Sequence, residues 1–176
     1  FFEDAYTASR ELELTLTGRE CGTEERAPMC GVPFHKADVY IGRLVEKGYK
    51  VAVCEQMEDP ALAKGLVKRE IVRVVTPGSV TESSMLEESR NNYYACVWEE
   101  DGAYGLAYCD VSTGQLSATG FSGPGAEERL HCELGSIAPA EILLGGGAKQ
   151  PQLRDFLSER LHACVNLADD ALLAPE

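Results

Sequence analysis

Hydrophobic and polar positions alternate with two different periods along the first half of the chain. Residues 4–14 carry apolar or small side chains at every third or fourth position, which predicts a helix. Residues 12–17, L-E-L-T-L-T, alternate strictly and predict a strand directly afterwards. Residues 37–47 return to helical spacing, and Gly48 suits the position that follows a helix end.

Two further strands are predicted from β-rich runs, Y-K-V-A-V-C-E-Q at residues 49–56 and E-I-V-R-V-V-T at residues 70–76. Between them, D-P at residues 59–60 predicts a turn or short helix that ends at Gly65. A helix joined to a strand across one glycine is typical of an α/β layer. The turn P-G at residues 77–78 closes the second strand.

The second half opens with three predicted strands. Residues 92–99, 103–111 and 115–121 are β-rich, and the short turns E-D-G and S-T-G separate them. Three strands over two tight turns form an antiparallel meander. The remaining pattern predicts a helix, a short buried strand, a second helix and a final strand, at residues 126–135, 141–145, 151–161 and 163–165.

The charge changes at the polar, aperiodic residues 79–90, which we interpret as a linker. Residues 1–78 contain 11 Lys+Arg against 13 Asp+Glu, whereas residues 79–176 contain 5 against 16. The formal net charge of −13 argues against nucleic-acid binding, but the acidity belongs to the second half.

A basic segment in the first half changes that interpretation. Lys64, Lys68, Arg69 and Arg73 outnumber Glu70, and such a local surplus can serve phosphate contacts. The alternative is an ordinary solvated face, which is the usual role of charge runs.

Arg73 stands among aliphatic residues. By strand alternation it shares a face with Ile71 and Val75, so its charge must reach solvent, pair with an acid or meet a ligand.

The seven cysteines are irregularly spaced and form no C-x-x-C, which argues against a zinc ribbon or a dithiol redox site and favours a reducing cytoplasm. The sequence contains no apolar run of about 18 residues, the length that would predict a membrane span. No secretory signal is recognisable either. The chain starts with Phe1 rather than Met, so we expect a fragment of a longer protein.

The segment P-M-C-G-V-P-F-H, residues 28–35, brings Cys30 and His35 close in sequence. A metal site would need four ligands, and only Cys21 lies near. A Cys–His catalytic pair would need an orienting third group, which the sequence does not identify. Two other interpretations stay open. One is a structural loop whose backbone is fixed by its glycine and prolines. The other is a small apolar tip, formed by Met29, Cys30 and Val32, that contacts a partner and could lie in a minor groove.

Asp110 ends a predicted strand of the meander, as carboxylates do in ribonuclease-H-like folds that bind two metal ions for phosphodiester cleavage. Such a site needs more acids, and no pattern singles out Glu133 or Glu141. D-V-S-T-G also lacks the full phosphate-binding loop pattern. A structural turn is the favoured interpretation.

Six motifs together resemble one known family. They are L-T-G-R, P-M-C-G-V-P-F-H, K-V-A-V-C-E-Q, A-K-G-L-V-K-R-E-I-V-R-V-V-T-P-G-S, N-N-Y-Y-A-C-V and D-V-S-T-G. Their order and intervals resemble the N-terminal part of the MutS family of bacterial DNA mismatch repair proteins, over nearly the whole chain and more thinly after Pro139.

This resemblance implies an α/β fold with two domains. Residues 1–78 would form a mixed-sheet mismatch-binding domain, truncated at its N-terminus, and residues 79–90 a linker. Residues 91–176 would form a connector domain that is ribonuclease-H-like in fold, incomplete at its C-terminus and not a nuclease.

The resemblance also implies that the first domain contacts mispaired double-stranded DNA from the minor groove. The DNA-binding residues would be Arg19, Met29, Cys30, Gly31, Val32, Pro33, Lys68, Arg69 and Arg73. The family usually has alanine where Cys30 stands, so this chain would carry an oxidisable thiol near DNA.

The family reads the mismatch with a Phe-x-Glu motif, which Phe1-Phe2-Glu3 spells. Because Asp4-Ala5 follows at once, these residues match a later aromatic stretch of the family. We therefore expect the true reader to lie upstream of this chain.

The resemblance implies a non-catalytic chain with no metal or cofactor of its own. ATP and Mg would act in a distant C-terminal domain, and no phosphate loop occurs here. The connector would dock MutL and relay motion to the ATPase. The whole protein would be a cytoplasmic homodimer without a membrane partner, and this part of it a monomer. Two rivals stay open: a ribonuclease-H-like metal-dependent nuclease, and a protein-interaction module of a relative outside mismatch repair.

Overall fold

A computed structural model describes residues 1–20, 22, 25–59, 65, 67–82, 85–86, 90–169 and 171. The contacts divide the chain into two units, Phe1–Val75 and Thr76–Glu176. The division falls three residues before residue 78, where the first domain was predicted to end, and the domain limits stay a prediction. No helix in the described part is both long and apolar enough to cross a bilayer.

The first unit contains two α-helices and four strands. They are α1 (Phe2–Leu12), β1 (Thr17–Arg19), β2 (Ala27–Met29), α2 (Ala37–Glu46), β3 (Val51–Gln56) and β4 (Arg69–Val75), with a 3-10 turn at Phe34–Lys36 before α2. Gly48 has a φ of 84° and follows the end of α2 as predicted. The predicted turn or helix at residues 59–65 lies largely outside the described residues.

The predicted strand over residues 12–17 is mostly wrong. Glu13 adopts the left-handed conformation, with φ 56° and ψ 38°, and ends α1. The Leu14 N–H donates to the Ser9 carbonyl at 3.1 Å, and the Ser9 hydroxyl donates to the Leu14 carbonyl at 2.6 Å. Because these bonds hold the chain in a helix-terminating turn, regular strand pairing begins only at Thr17.

The described strands of the first unit form two separate antiparallel pairs, β1–β2 and β3–β4. The resemblance implied an α/β fold with a mixed sheet in this domain. The α/β class is confirmed, whereas both described pairs are antiparallel. Each strand pairs with its neighbour in sequence, and antiparallel neighbours need no crossover connection.

A β-bulge interrupts the β3–β4 ladder. Val53 pairs with Arg73 and Cys54 pairs with Ile71, so Val72 is the additional residue. Cross-strand partners share a face, so the bulge moves Ile71 to the face opposite Arg73. The prediction that Ile71 and Arg73 share a face is therefore wrong, and Ile71 is 64% exposed.

Glu11 joins α1 to the segment between α2 and β3. Its carboxylate accepts hydrogen bonds from Arg10 Nε at 3.0 Å, Lys47 Nζ at 3.2 Å and the Tyr49 hydroxyl at 3.0 Å. These bonds, that of Arg10 first, lower the pKa of Glu11.

The second unit is built on a five-stranded mixed sheet of order β7-β6-β5-β8-β9. Its strands are β5 (Tyr93–Glu100), β6 (Ala103–Asp110), β7 (Gln115–Phe121), β8 (Glu141–Gly146) and β9 (Cys164–Leu167). The first three form the predicted antiparallel meander, and β8 and β9 add parallel to β5. Asp101 and Gly102, with φ values of 52° and 76°, make the primed turn that D-G predicts.

One face of this sheet is covered by helices. They are α3 (Ala126–Ile137), α4 (Pro151–Asp155) and a π-helical turn at Phe156–Arg160, where a single helix was predicted. Leu130 and Leu134 of α3 are fully buried in the same core cluster as Val97 and Leu106 of the sheet. Burial of each such leucine stabilises the fold by roughly 1.5–3 kcal/mol.

The start of the predicted linker is packed rather than free. Val80 is only 4% exposed, and Gly78, just before the predicted linker, is also buried. Residues 83–84 and 87–89 of that predicted linker lie outside the described residues.

A candidate nucleic-acid interface in the first unit

The β1–β2 hairpin carries Arg19 and Met29 at opposite ends of its short ladder. Thr17 pairs with Met29, and Arg19 pairs with Ala27. The Thr17 hydroxyl donates to the Met29 carbonyl at 2.9 Å. This bond fixes the point at which the chain leaves β2 and enters the predicted DNA-contacting loop.

The loop at residues 30–33 is held at its far end as well. The Lys36 N–H donates to the Pro33 carbonyl at 2.9 Å, which starts the 3-10 turn. Gly31 and Pro33 are exposed, and Val32 is half-buried. A Cβ on Gly31 would meet nothing within 4 Å, so the backbone there faces open space.

Cys30, which is half-buried, bonds to the segment that precedes β1. Its thiol donates a 3.5 Å hydrogen bond to the Thr15 carbonyl, whereas His35 is exposed in the 3-10 turn. Within the described residues, no group of three or more His, Cys, Asp or Glu side chains could hold a metal ion. Cys21, the third potential ligand by sequence, lies outside those residues.

The predicted cations Lys68, Arg69 and Arg73 lie on or beside β4, in a different sheet from the hairpin. Lys68 Nζ forms an ion pair with Glu70, and Arg73 Nη2 lies 3.5 Å from Asp38 Oδ1 on α2. The bulge separates Arg69 from Arg73, because their β3 partners Gln56 and Val53 point to opposite faces. Two of the three cations, Lys68 and Arg73, are paired with acids. Lys64, also predicted to belong to this basic segment, is outside the described residues.

These ion pairs are weak obstacles to ligand binding. The Arg73 and Asp38 side chains are 39% and 62% exposed, and those of Lys68 and Glu70 are 67% and 47% exposed. An exposed ion pair contributes only about 0–1 kcal/mol of free energy. A phosphate can therefore replace the carboxylate with little loss of free energy. Arg73 therefore pairs with an acid, one of the three outcomes that its sequence position left open.

Phe34 is a surface feature to which sequence analysis gave no role. Its side chain is 87% exposed, directly after the loop. The sequence did contain a signal for this exposure: Phe34 stands between Pro33 and His35 and belongs to no hydrophobic period. Exposed aromatic rings of this kind are used for contact with bases and with protein partners.

Phe1, Phe2 and Glu3 lie at the start of α1. Phe2 and Glu3 belong to its first turn, and the two phenylalanine side chains are 51% and 63% exposed. The interpretation that these residues are not the mismatch reader stays a prediction.

Asp110 and Glu141 lie on opposite faces of the second unit's sheet. Asp110 pairs in register with Tyr93, and Glu141 pairs with Tyr94. Consecutive residues of a strand point to opposite faces, so these two carboxylates cannot bind one pair of metal ions. The arrangement disfavours the metal-dependent nuclease.

Hydrogen bonds within the fold occupy the Asp110 carboxylate. Asp110 is 2% exposed and accepts from the Ser112 hydroxyl at 2.6 Å, the Ser112 N–H at 2.9 Å and the Thr113 N–H at 3.3 Å. Its other oxygen accepts from the Asn92 N–H at 3.2 Å. The bond from the Ser112 hydroxyl is the main cause that lowers the pKa of Asp110. The favoured interpretation, a structural turn, fits these contacts.

Comparison with protein families gives two matches in chain order. A model described as MutS domain I matches residues 1–84, and a model described as MutS domain II matches residues 92–171.

Curated relatives are similar over almost the whole chain. A DNA mismatch repair protein MutS from Acetivibrio thermocellus is 56% identical over 177 residues, and one from Ruminiclostridium cellulolyticum is 59% identical over 171. One from Clostridium tetani is 47% identical over 170 residues. These alignments cover 100%, 97% and 97% of this chain, but the chain spans only about a fifth of each relative.

Proposed function

Because the chain belongs to the MutS family and consists of domain I followed by domain II, we propose that it is a DNA-recognition portion of a mismatch repair protein. Domain I would contact mispaired duplex DNA from the minor groove. Domain II would connect that event to the rest of the protein.

The observation that carries this proposal is the anchored, exposed loop at residues 30–33. The Thr17 hydroxyl holds the carbonyl before it, and the Lys36 N–H holds its last carbonyl. Gly31 presents bare backbone at its tip. A stiff loop with small side chains suits the narrow minor groove, where close backbone approach and apolar contacts are used.

Phosphate contacts would come from Arg19 on the hairpin and from the three cations on or beside β4, which are Lys68, Arg69 and Arg73. Such contacts fix register and orientation and carry little information on sequence. Discrimination between mismatched and matched DNA would come from the deformability of the duplex. A mispaired base step needs less free energy to unstack and kink than a matched one.

Domain II would be a connector that is ribonuclease-H-like in fold and has no catalytic residues. The strand order, with β6 antiparallel to both neighbours and β8 and β9 parallel to β5, supports this assignment. The opposed positions of Asp110 and Glu141 support the absence of nuclease chemistry. The chain would dock MutL through this unit and relay motion to the ATPase.

The remaining expectations for the whole protein are part of the same proposal. ATP and Mg would be used by a domain outside this chain, and this part would need no cofactor. The whole protein would be a cytoplasmic homodimer, whereas this part would be a monomer in solution.

The test is a fluorescence anisotropy titration of this chain with two labelled duplexes at low salt, one matched and one with a single G·T mismatch. We expect binding to both duplexes with a micromolar or weaker dissociation constant, in the range of about 10⁻⁴–10⁻⁶ M typical of non-specific contacts. Tighter binding to the mismatch would show that this part discriminates alone. Lack of binding to either duplex would contradict the proposed DNA contacts and favour the protein-interaction module.

A further inference from the structure

The strand β7 forms one edge of the second unit's five-stranded sheet. It pairs with β6 through an unbroken register, from Gln115 with Asp110 to Phe121 with Tyr104. The strand at the other edge, β9, is only 4 residues long, whereas β7 has 7. Short edge strands are one protection against pairing with another chain, so β7 is the edge that is more open to an added strand.

The hairpin between β5 and β6 shows which backbone groups of β7 face outward. Its two-residue turn makes Glu100 and Ala103 a hydrogen-bonded pair, and such pairs alternate along antiparallel strands. Counting on from Ala103, every second residue of β6 bonds to β5, and the residues between them bond to β7. The residues of β7 whose N–H and C=O groups consequently point away from β6 are Leu116, Ala118 and Gly120.

This edge lacks the features that usually protect an exposed strand. Residues 115–121 contain no proline and no charged residue, and no bulge interrupts their ladder with β6. Within the described part of the chain, no hydrogen bond from outside this ladder reaches Leu116, Ala118 or Gly120. The Leu116 side chain is 73% exposed. The edge therefore offers backbone donors, acceptors and an apolar side chain to an added strand.

The charge around β7 indicates which partner fits. Residues 79–176 contain 5 Lys+Arg against 16 Asp+Glu. Tyr104, the register partner of the last residue of β7, has a raised pKa, mainly through burial and further through the nearby carboxylates of Glu127 and Glu99. The Arg129 guanidinium donates to two backbone carbonyls of the loop that follows β7. A positively charged strand is therefore attracted to this edge, whereas a second copy of the acidic chain is repelled.

We propose that β7 is a docking edge for an extended, positively charged segment of a partner protein, which adds to the sheet as an antiparallel strand. Antiparallel pairing is slightly more stable per residue than parallel pairing. It places the N-terminal end of the segment beside Phe121, so its Lys or Arg residues stand near Glu99 and Glu127. Apolar side chains at every second position of the segment then pack beside Leu116. This inference goes beyond the proposed function and does not rest on it.

The test is a titration of the full ¹⁵N-labelled chain with the peptide Lys-Arg-Val-Thr-Val-Thr-Val, blocked at both ends. Amide exchange is then compared without peptide and with free peptide at about ten times its dissociation constant. Exchange at Leu116, Ala118 and Gly120 should slow by about tenfold, because only the unbound fraction exchanges. Exchange at Ser117 and Thr119, whose N–H groups already bond to β6, should change by a much smaller factor.

Ala118→Pro removes one outward N–H and leaves the β6–β7 bonds in place, because an edge strand tolerates proline where the nitrogen faces solvent. It should weaken peptide binding by about tenfold, the effect of losing one backbone hydrogen bond and the close approach around it. Ala118→Thr keeps the N–H and should bind the peptide like the unmodified chain. If Ala118→Pro alters the amide shifts of β5 and β6, Leu116→Pro removes another outward N–H and takes its place.

A second peptide, Glu-Glu-Val-Thr-Val-Thr-Val, tests the charge. It should bind at least about threefold more weakly than the basic peptide at low salt, and the difference should shrink as salt screens the carboxylates.

Four results would overturn the docking edge. They are no binding of the basic peptide up to about 1 mM, binding without slowed exchange at the three outward amides, equal affinity in a folded proline variant, and equal affinity for the acidic peptide. Slowed exchange at these amides that depends on chain concentration without peptide would assign the edge to a second copy and overturn it as well. None of these measurements uses DNA, so a failure of duplex binding would count against the proposed function alone.

Discussion

Gly146 lies against the backbone of Glu99 so closely that a Cβ on Gly146 would be 2.3 Å from the Glu99 carbonyl oxygen. The two residues are register partners in the parallel β5–β8 pair. Gly146 also has φ 58° and ψ −140°, a conformation that other residues rarely adopt. The end of β8 is therefore a position that only glycine can occupy.

We expect Gly146→Ala to destabilise the second unit by about 2 kcal/mol or more, because backbone strain and a backbone clash act together. Urea unfolding followed by circular dichroism would measure this. Gly105→Ala is the matched control, since a Cβ there meets nothing within 4 Å. An alanine in that strand should be neutral or stabilising by about 0.5–1 kcal/mol. Equal effects of the two substitutions would contradict this account.

Asp110→Asn should destabilise the second unit by about 1–3 kcal/mol, the usual effect of leaving a buried donor unpaired. One carboxylate oxygen becomes an NH₂ group, and it then faces an N–H donor, either that of Asn92 or those of the Ser112 turn. Asp155→Asn, at an exposed position of α4, is the control and should change stability by less than about 0.5 kcal/mol. If Asp110→Asn has the same unfolding midpoint as the control, the carboxylate has no structural role.

The contribution of Asp110 should depend on pH in one direction. Hydrogen bonds lower its pKa in the folded state, so it adds stability in full above the ordinary aspartate pKa of about 3.9. That stability is lost as pH falls through the lower folded-state pKa. The difference in unfolding free energy between the unmodified chain and Asp110→Asn should therefore shrink below about pH 4. A difference that stays constant from pH 7 to pH 3 would contradict this assignment.

Arg73→Ala should weaken binding to matched and mismatched duplexes alike, because a phosphate contact carries no sequence information. The slope of log K against log[salt] should become shallower by about 0.9, the value expected when one fewer phosphate is neutralised. Anisotropy titrations at several salt concentrations would measure it, with Arg154→Ala on α4 as the control in the acidic unit. Asp38→Asn should strengthen binding slightly, because it removes the acid that competes for Arg73. An unchanged salt slope in Arg73→Ala would rule out the phosphate contact.

Gly31→Ala separates a role in DNA binding from a role in folding. Nothing lies within 4 Å of the added methyl group, so the thermal midpoint should be nearly unchanged. Duplex affinity should fall by about three- to tenfold, since weakening a close groove interaction by roughly 1 kcal/mol corresponds to such a factor. Gly135→Ala on α3, also in open space, should leave affinity unchanged. Full affinity in Gly31→Ala would place the loop away from DNA.

Much of the local structure could be predicted from the sequence. The periods of apolar residues predicted α2, the meander of β5 to β7 and α3 within a few residues. A helix or strand depends on residues that are two to four positions apart in the chain, and the sequence shows these neighbours directly. The order and spacing of the six motifs likewise indicated the MutS family before any fold was known.

The candidate site was only partly predictable. The loop after β2 was expected from its prolines and glycine, because those residues restrict the backbone locally. The hydrogen bond from Cys30 to the Thr15 carbonyl was not expected, since it joins residues fifteen positions apart. The sequence also did not identify the acidic partner of Arg73, because Asp38 belongs to another element.

By itself, then, the sequence determined the type and order of most elements, the family and the change of charge between the two halves. The tertiary structure alone decided that a bulge at Val72 separates Ile71 from Arg73, and that Asp110 and Glu141 occupy opposite faces of one sheet. It also decided that Gly78 binds Glu141, 63 positions later in the chain. The reason is physical: a side-chain period records the neighbours within one element, whereas register and packing depend on which distant backbone comes to lie beside it.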